Sequence, residues 1–79
     1  MTIEFIINSW DPIGLFPYSP QDEYSSEIQK IKFARRKTDD AFTFGDHIYQ
    51  IFIESFGPEI FQKSLSECVS VAEKIMSIS

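Results

Sequence analysis

The stretch that decides the fold is Phe61 to Met76, FQKSLSECVSVAEKIM. Its apolar residues recur at alternating steps of four and three, which is the spacing of one face of an α-helix. The apolar stripe comprises Phe61, Leu65, Cys68, Ala72 and Ile75, widened by Val69 and Met76. The opposite face carries Gln62, Ser66, Ser70 and Glu73. The segment predicts an amphipathic helix that buries one side against other helices.

A second helical pattern precedes it in the chain. Its apolar face comprises Phe44, Ile48, Ile51, Phe52 and Phe56. Thr38-Asp39-Asp40 supplies side chains that cap a helix start, but Gly45 lies inside the pattern and leaves a later start at Thr43 open. Gly57 and Pro58 are typical of a helix end and a helix beginning, so we expect the last helix to follow directly.

A third helical pattern begins at Ser19. Ser19 can cap, Pro20 fits the first helical position, and the acidic pair Asp22-Glu23 suits the positive end of the helix dipole. The helix is expected to continue through Tyr24, Ile28 and Ile31 and to end in a basic run that contains Lys30, Lys32, Arg35, Arg36 and Lys37. Between residues 33 and 43 the pattern does not decide between helix and loop.

The N-terminal segment is also periodic. Ile3, Ile6, Ile7 and Trp10 fall on one helical face. Phe5 lies off that face, so a short buried strand is the alternative. Asp11-Pro12 and Gly14 then predict a structured turn. Together the patterns predict an all-α protein, a small antiparallel bundle of three to four helices in a single domain over residues 1–79.

Composition restricts the function more than it defines it. The chain has 79 residues, of which 43% are hydrophobic and 15% aromatic, enough for one modest core. Twelve acidic against seven basic residues give a net charge of −5, which disfavours nucleic acid and anionic membranes and suits a basic protein partner. The segment Met1 to Asn8 does not resemble a secretory leader, so we expect a cytoplasmic protein.

The sequence contains no recognisable catalytic or zinc-binding set. Its single cysteine, Cys68, cannot form an internal disulfide. Cys68 and the single histidine, His47, are too few ligands for a zinc site of the usual type. Asp22, Glu23 and Glu27 lie close together and could bind a divalent ion or a basic partner, or could simply be a solvated helix start. We therefore predict no enzyme activity, no metal and no cofactor.

The aromatic residues around the predicted turn are candidates for partner binding. Trp and Tyr are frequent anchors of protein interfaces, and Trp10, Phe16 and Tyr18 lie in or beside the turn. Alternatively, Trp10 and Phe16 fold back over the helical core, with Asp11 capping a backbone turn.

Two stretches resemble a small bacterial family called domain of unknown function 1871. The first is the Trp-Asp-Pro-Ile-Gly word at residues 10–14 with the Asp-Glu-Tyr word at residues 22–24, and the second is Ile48–Phe52 with Phe56-Gly57. The resemblance implies an all-helical fold and no assigned activity. Small acidic proteins that resemble this family suit the role of immunity proteins encoded beside bacterial toxin genes.

The resulting hypothesis is a protein-binding module without chemistry of its own, most concretely an immunity protein that neutralises a basic toxin nuclease. Its expected partner-binding residues are Phe16, Tyr18, Asp22, Glu23, Tyr24 and Glu27. The expected structural motif is Trp10, Asp11, Pro12 and Gly14. The alternatives are a housekeeping or regulatory helical protein acting as a homodimer, and a metal protein or enzyme using the acidic cluster.

Overall fold

The computed structural model describes residues 2–14 and 24–78, which form four α-helices and no strand. The helices are α1 (Ile3–Trp10), α2 (Ser25–Arg35), α3 (Ala41–Phe56) and α4 (Leu65–Ile78). Each helix packs on its neighbour in the chain, with the most extensive interface between α3 and α4. Because α1 also packs on α4, the helices close into a ring around one core. The all-α bundle predicted from the spacing is confirmed.

Helix α1 replaces the strand that the sequence left as an alternative. Thr2 caps the helix, because its hydroxyl oxygen accepts a hydrogen bond from the Phe5 backbone N–H at 3.1 Å. Ile6 and Ile7 face the core, whereas Phe5 is more than half exposed. The off-face position of Phe5 is therefore a solvent-exposed position on a helix and does not indicate a strand.

Helix α2 begins at Ser25, later than predicted. Tyr24 precedes it with a non-helical backbone (φ −99°, ψ 11°), so the prediction that the helix runs unbroken through Tyr24 is wrong. The proposed cap at Ser19 lies outside the described residues. One member of the basic run forms an ion pair with α1: Lys32 Nζ lies 2.6 Å from a carboxylate oxygen of Glu4. This hydrogen bond lowers the pKa of Glu4 below its ordinary value.

Helix α3 begins at the earlier of the two predicted starts. The Asp40 carboxylate accepts hydrogen bonds from the Thr43 backbone N–H and hydroxyl, both at 2.8 Å, and these bonds lower the pKa of Asp40. A start at Thr43 is therefore wrong. At the other end, Gly57 takes a positive φ of 84° and donates its N–H to the Ile53 carbonyl, as its predicted role in ending the helix requires.

Gly45 remains inside α3 because a side chain does not fit there. A Cβ at this position would lie 2.7 Å from both Cα and Cγ2 of Val69 on α4. Separations this short are incompatible with ordinary van der Waals contact, so the glycine lets two helix backbones approach closely. The residue that cast doubt on the helix is the one that sets the spacing between α3 and α4.

Helix α4 begins at Leu65, and the expectation that it starts directly after Gly57 is wrong. Ser64 caps it by accepting a hydrogen bond from the Glu67 N–H at 3.1 Å. Phe61 lies ahead of the helix in a turn that is closed by its N–H bond to the Gly57 carbonyl, yet its side chain is buried. Within α4, the buried residues are Cys68, Val71, Ala72 and Ile75, so most of the predicted stripe faces the core.

Phe52 lies at the centre of the core and is fully buried. Its ring contacts four others, with centroid separations of 5.2 to 6.1 Å; they belong to Trp10, Tyr24, Phe56 and Phe61. These residues come from α1, α3 and the segments before α2 and α4. One aromatic cluster therefore joins all parts of the ring of helices.

Candidate functional site

The turn after α1 is held in a fixed conformation by its own backbone. Asp11 adopts a left-handed conformation (φ 46°), which ends the helix, and the Gly14 N–H donates to the Asp11 carbonyl at 3.0 Å. Gly14 itself has a φ of 76°, a conformation that glycine adopts at little cost. Pro12 is buried within the turn. The structured turn was predicted for Asp11 to Tyr18; it is present over residues 11–14, and residues 15–18 lie outside the described residues.

Tyr24 fastens this turn to the core. Its buried hydroxyl donates to Oδ1 of Asp11 at 2.6 Å and accepts from the Ile13 N–H at 3.2 Å. The ring packs edge-on against Phe52. Tyr24 was expected to contact a partner, but the structure places its side chain inside the protein, where it ties residues 11–13 to the start of α2.

Trp10 ties the same turn to α4. Its indole N–H donates to Oε2 of Glu67 at 2.6 Å, and the Lys63 ammonium lies 3.8 Å from that oxygen. The ring is half-buried and meets Phe52 and Phe61 edge-on. Trp10 therefore covers the core, as in the second of the two sequence interpretations. Glu67 was not foreseen, because its only sequence signal is the spacing Ser64-x-x-Glu67 of a helix start.

Removing the Tyr24 hydroxyl should loosen the turn. In Tyr24→Phe the Asp11 carboxylate and the Ile13 N–H both lose a partner in a part-buried setting, so we expect a loss of about 2 kcal/mol in the free energy of unfolding. Urea unfolding followed by circular dichroism measures this loss. The matched control is Tyr49→Phe at a half-buried position on α3, where we expect the free energy of unfolding to change by less than about 0.5 kcal/mol. Equal losses in the two variants would contradict the role assigned to the Tyr24 hydroxyl.

Of the predicted partner-binding residues, Tyr24 and Glu27 lie among the described residues. Phe16, Tyr18, Asp22 and Glu23 lie outside the described residues. Glu27 is 7% exposed, and its Oε1 has no hydrogen-bond partner among residues 2–14 and 24–78. It lies on the face of α2 that also buries Ile28 and Ile31. The Glu27 side chain, predicted to lie on a binding surface, is therefore buried.

Cys68 and His47, the two residues considered for catalysis from the sequence, lie on different helices. Cys68 is buried, and burial, followed by the nearby negative charge of Glu67, raises the pKa of its thiol to about 12. The thiol is therefore protonated at neutral pH and a poor nucleophile. His47 is half-buried on α3, beside the groove between α2 and α3. Within residues 2–14 and 24–78, no three His, Cys, Asp or Glu side chains are placed to hold a metal ion.

Three exposed phenylalanines mark three grooves between the helices. Phe5 is 57% exposed beside the groove between α1 and α4, and Phe33 and Phe42 are each 61% exposed beside the grooves α2–α3 and α3–α4. Sequence reasoning missed these grooves. The signal was present, because all three phenylalanines lie off the apolar stripes of their helices, but a stripe alone does not show which off-stripe residues stay exposed.

The described residues form a small all-α protein of four helices. A hydrogen-bonded turn follows α1. A family profile described as Domain of unknown function (DUF1871) matches residues 1–79, and the chain belongs to this family. No curated protein and no solved structure matches the chain significantly. None of the described helices has the length and apolar character needed to cross a bilayer.

Proposed function

We propose that this protein is a small acidic protein-binding module, most concretely a cytoplasmic immunity protein that neutralises a basic toxin nuclease by binding it directly. The net charge of −5 supports a basic partner, because opposite fields accelerate encounter and select against acidic competitors. The observation that carries the proposal is an exposed aromatic ring set among acidic side chains on the α3–α4 face.

Phe42 is the centre of that face. The groove beside it has a volume of about 420 Å³, and its described lining residues are Phe42, Leu65, Ser66, Val69, Ser70 and Glu73. Glu73 is the only charged residue in this lining. Asp46 follows Phe42 by one turn of α3 and therefore lies on the same side of the helix. The face offers an apolar ring and negative charge, with no lysine or arginine among those lining residues.

Such a face suits a lysine or arginine of a partner. The aliphatic stem of either side chain can pack on an aromatic ring while its cationic head pairs with a carboxylate, and a cation over a ring is itself attractive. Aromatic residues near the centre of an interface also contribute a large share of the binding free energy. The α3–α4 face therefore supplies both contacts that a basic partner requires.

The proposal predicts that a basic nuclease is encoded beside this gene, and the test measures binding of that nuclease to two matched variants. Phe42→Ser and Phe33→Ser remove rings of equal exposure, but Phe33 lies in basic surroundings, with Lys37 Nζ 4.4 Å from its ring centroid. We expect Phe42→Ser to weaken binding about 30-fold, the effect of losing an interface anchor, and Phe33→Ser to change it less than about threefold. Calorimetry and inhibition of nuclease activity measure both.

Three outcomes of that experiment count against the proposal. They are failure of the purified protein to inhibit the nuclease, equal weakening by both variants, and binding that does not fall as salt concentration rises. The last would exclude charge as the source of selectivity.

Self-association is the second candidate function. Its supporting observation is that Phe5, Phe33 and Phe42 are each more than half exposed, so the core leaves a considerable aromatic surface in contact with water. A homodimer would remove some of this surface from water. Sedimentation equilibrium that shows only monomer at working concentrations would dismiss this candidate.

A further inference from the structure

The groove between α1 and α4 is a largely apolar surface depression, and its described lining contains a single charged residue. Its volume is about 530 Å³, within the range of roughly 300–1,000 Å³ that is common for small-molecule sites. Its lining residues are Phe5, Ile6, Ser9, Trp10, Val71, Lys74, Ser77 and Ile78. It lies on a different pair of helices from the face proposed to bind a basic protein.

Helical spacing assembles this groove from both sides. The α1 lining consists of two adjacent pairs one turn apart (residues 5, 6, 9 and 10), and the α4 lining lies at residues 71, 74, 77 and 78, so each helix presents one continuous edge. Buried Ile6 and Val71 form the floor, and the more exposed Phe5, Trp10 and Ile78 form the walls. An extended apolar chain laid along this channel would contact carbon atoms on its floor and on both walls.

The charge of the groove selects the other end of such a ligand. Lys74 is the only charged residue in the described lining, and it makes no ion pair with another described side chain. Glu67 lies about two turns before Lys74 along α4, where the Trp10 indole N–H and the Lys63 ammonium already contact its carboxylate. The ammonium of Lys74 is therefore available to an anion from outside the protein. The Ser9 hydroxyl lines the same groove, whereas the Ser77 hydroxyl already donates to the Lys74 backbone carbonyl at 2.8 Å.

We propose that this groove binds a medium-chain carboxylate, with the hydrocarbon chain between α1 and α4 and the carboxylate paired with Lys74. Each methylene that leaves water strengthens such binding, so affinity rises with chain length. The proposal does not depend on the proposed toxin binding, because Phe42 and Glu73 do not line this groove.

The single tryptophan provides a direct readout, because Trp10 lines the groove. Decanoate is titrated into the protein below its micelle-forming concentration while tryptophan fluorescence is recorded. We expect a saturable change, a weaker response to hexanoate, and a much weaker response to decyltrimethylammonium, which has the same chain and the opposite charge. No saturable change, or an equal response to the cationic compound, would overturn the proposal.

Two variants and one control locate the site. Lys74→Glu replaces attraction by repulsion at an exposed position and should weaken decanoate binding about tenfold. Phe5→Ser removes one wall and should weaken it to a similar extent, whereas Phe33→Ser, similarly exposed but beside the α2–α3 groove, should leave the affinity unchanged. Circular dichroism confirms that each variant is folded.

A second copy of the chain is the competing occupant of the groove. If Trp10 fluorescence changes with protein concentration alone, and decanoate reverses nothing, the groove is covered by another protein molecule and the proposal is wrong. If the three variants bind decanoate with equal affinity, the ligand binds elsewhere and the proposal is also wrong.

Discussion

Phe52→Ala is expected to lower the free energy of unfolding by about 3–5 kcal/mol. The ring is fully buried and contacts four other aromatic rings, so its removal leaves a cavity that is bordered by several elements. Small domains are stabilised by only about 5–15 kcal/mol in total, so a loss of this size leaves the fold marginal. Urea unfolding monitored by far-ultraviolet circular dichroism measures the change.

Two further variants keep this prediction interpretable. Phe52→Leu retains most of the buried volume and should cost less than about 2 kcal/mol, so it stays folded if the alanine variant does not. Phe33→Ala removes a ring of the same type from an exposed position and should cost less than about 1 kcal/mol. If Phe52→Ala and Phe33→Ala destabilise the protein equally, the aromatic cluster does not contribute the stability assigned to it.

Gly45→Ala is expected to destabilise the protein by about 3 kcal/mol, although alanine favours helices more than glycine does. The intrinsic helix preference alone would stabilise the variant by up to about 1 kcal/mol. The new Cβ, however, would lie 2.7 Å from the Val69 Cα and 2.9 Å from its backbone nitrogen, so α3 and α4 must move apart. The penalty for overpacking a close helix contact exceeds the gain in helix preference.

The sign of this effect identifies its cause. Gln50→Ala, at an exposed position on the same helix, should change stability by less than about 0.5 kcal/mol. Adding Val69→Ala to Gly45→Ala should restore only part of the loss, because it removes Cγ2 but leaves the two backbone atoms in place. Thermal and urea unfolding of the single and double variants decide the matter, and a Gly45→Ala protein more stable than wild type would contradict the close approach.

The sequence predicts helices well where spacing and end signals agree. Ile3 to Trp10 has a helical period and ends at a turn signal, and α1 occupies those residues. Phe61 continues the spacing of α4 but lies before it, because Ser64 is the residue that caps the helix. Periodicity reports which side chains are buried together, and a buried loop residue can satisfy it as well as a helical one.

The candidate sites were less predictable because they depend on contacts between distant residues. Asp11 was predicted to shape a turn, but its acceptance of a hydrogen bond from Tyr24 requires knowing how α1 and α2 pack. Tyr24 was assigned to a surface from the resemblance of its Asp-Glu-Tyr motif and Glu27 from its charge, and the structure buries both. The grooves beside Phe5 and Phe42 follow from the angles between helices, which no local pattern specifies.

The hydrogen bond between Trp10 and Glu67 joins residues that are 57 positions apart in the chain. A ribosome makes α1 well before it makes α4, so the Glu67 carboxylate that accepts the Trp10 hydrogen bond is absent when α1 is made. The aromatic neighbours of Trp10 at positions 52 and 61 are absent at that stage too. The first helix must therefore wait, and its isolated eight residues are too few to persist in water. Closure of the ring is consequently a late event in folding, set by loop-closure entropy and not by local helix formation.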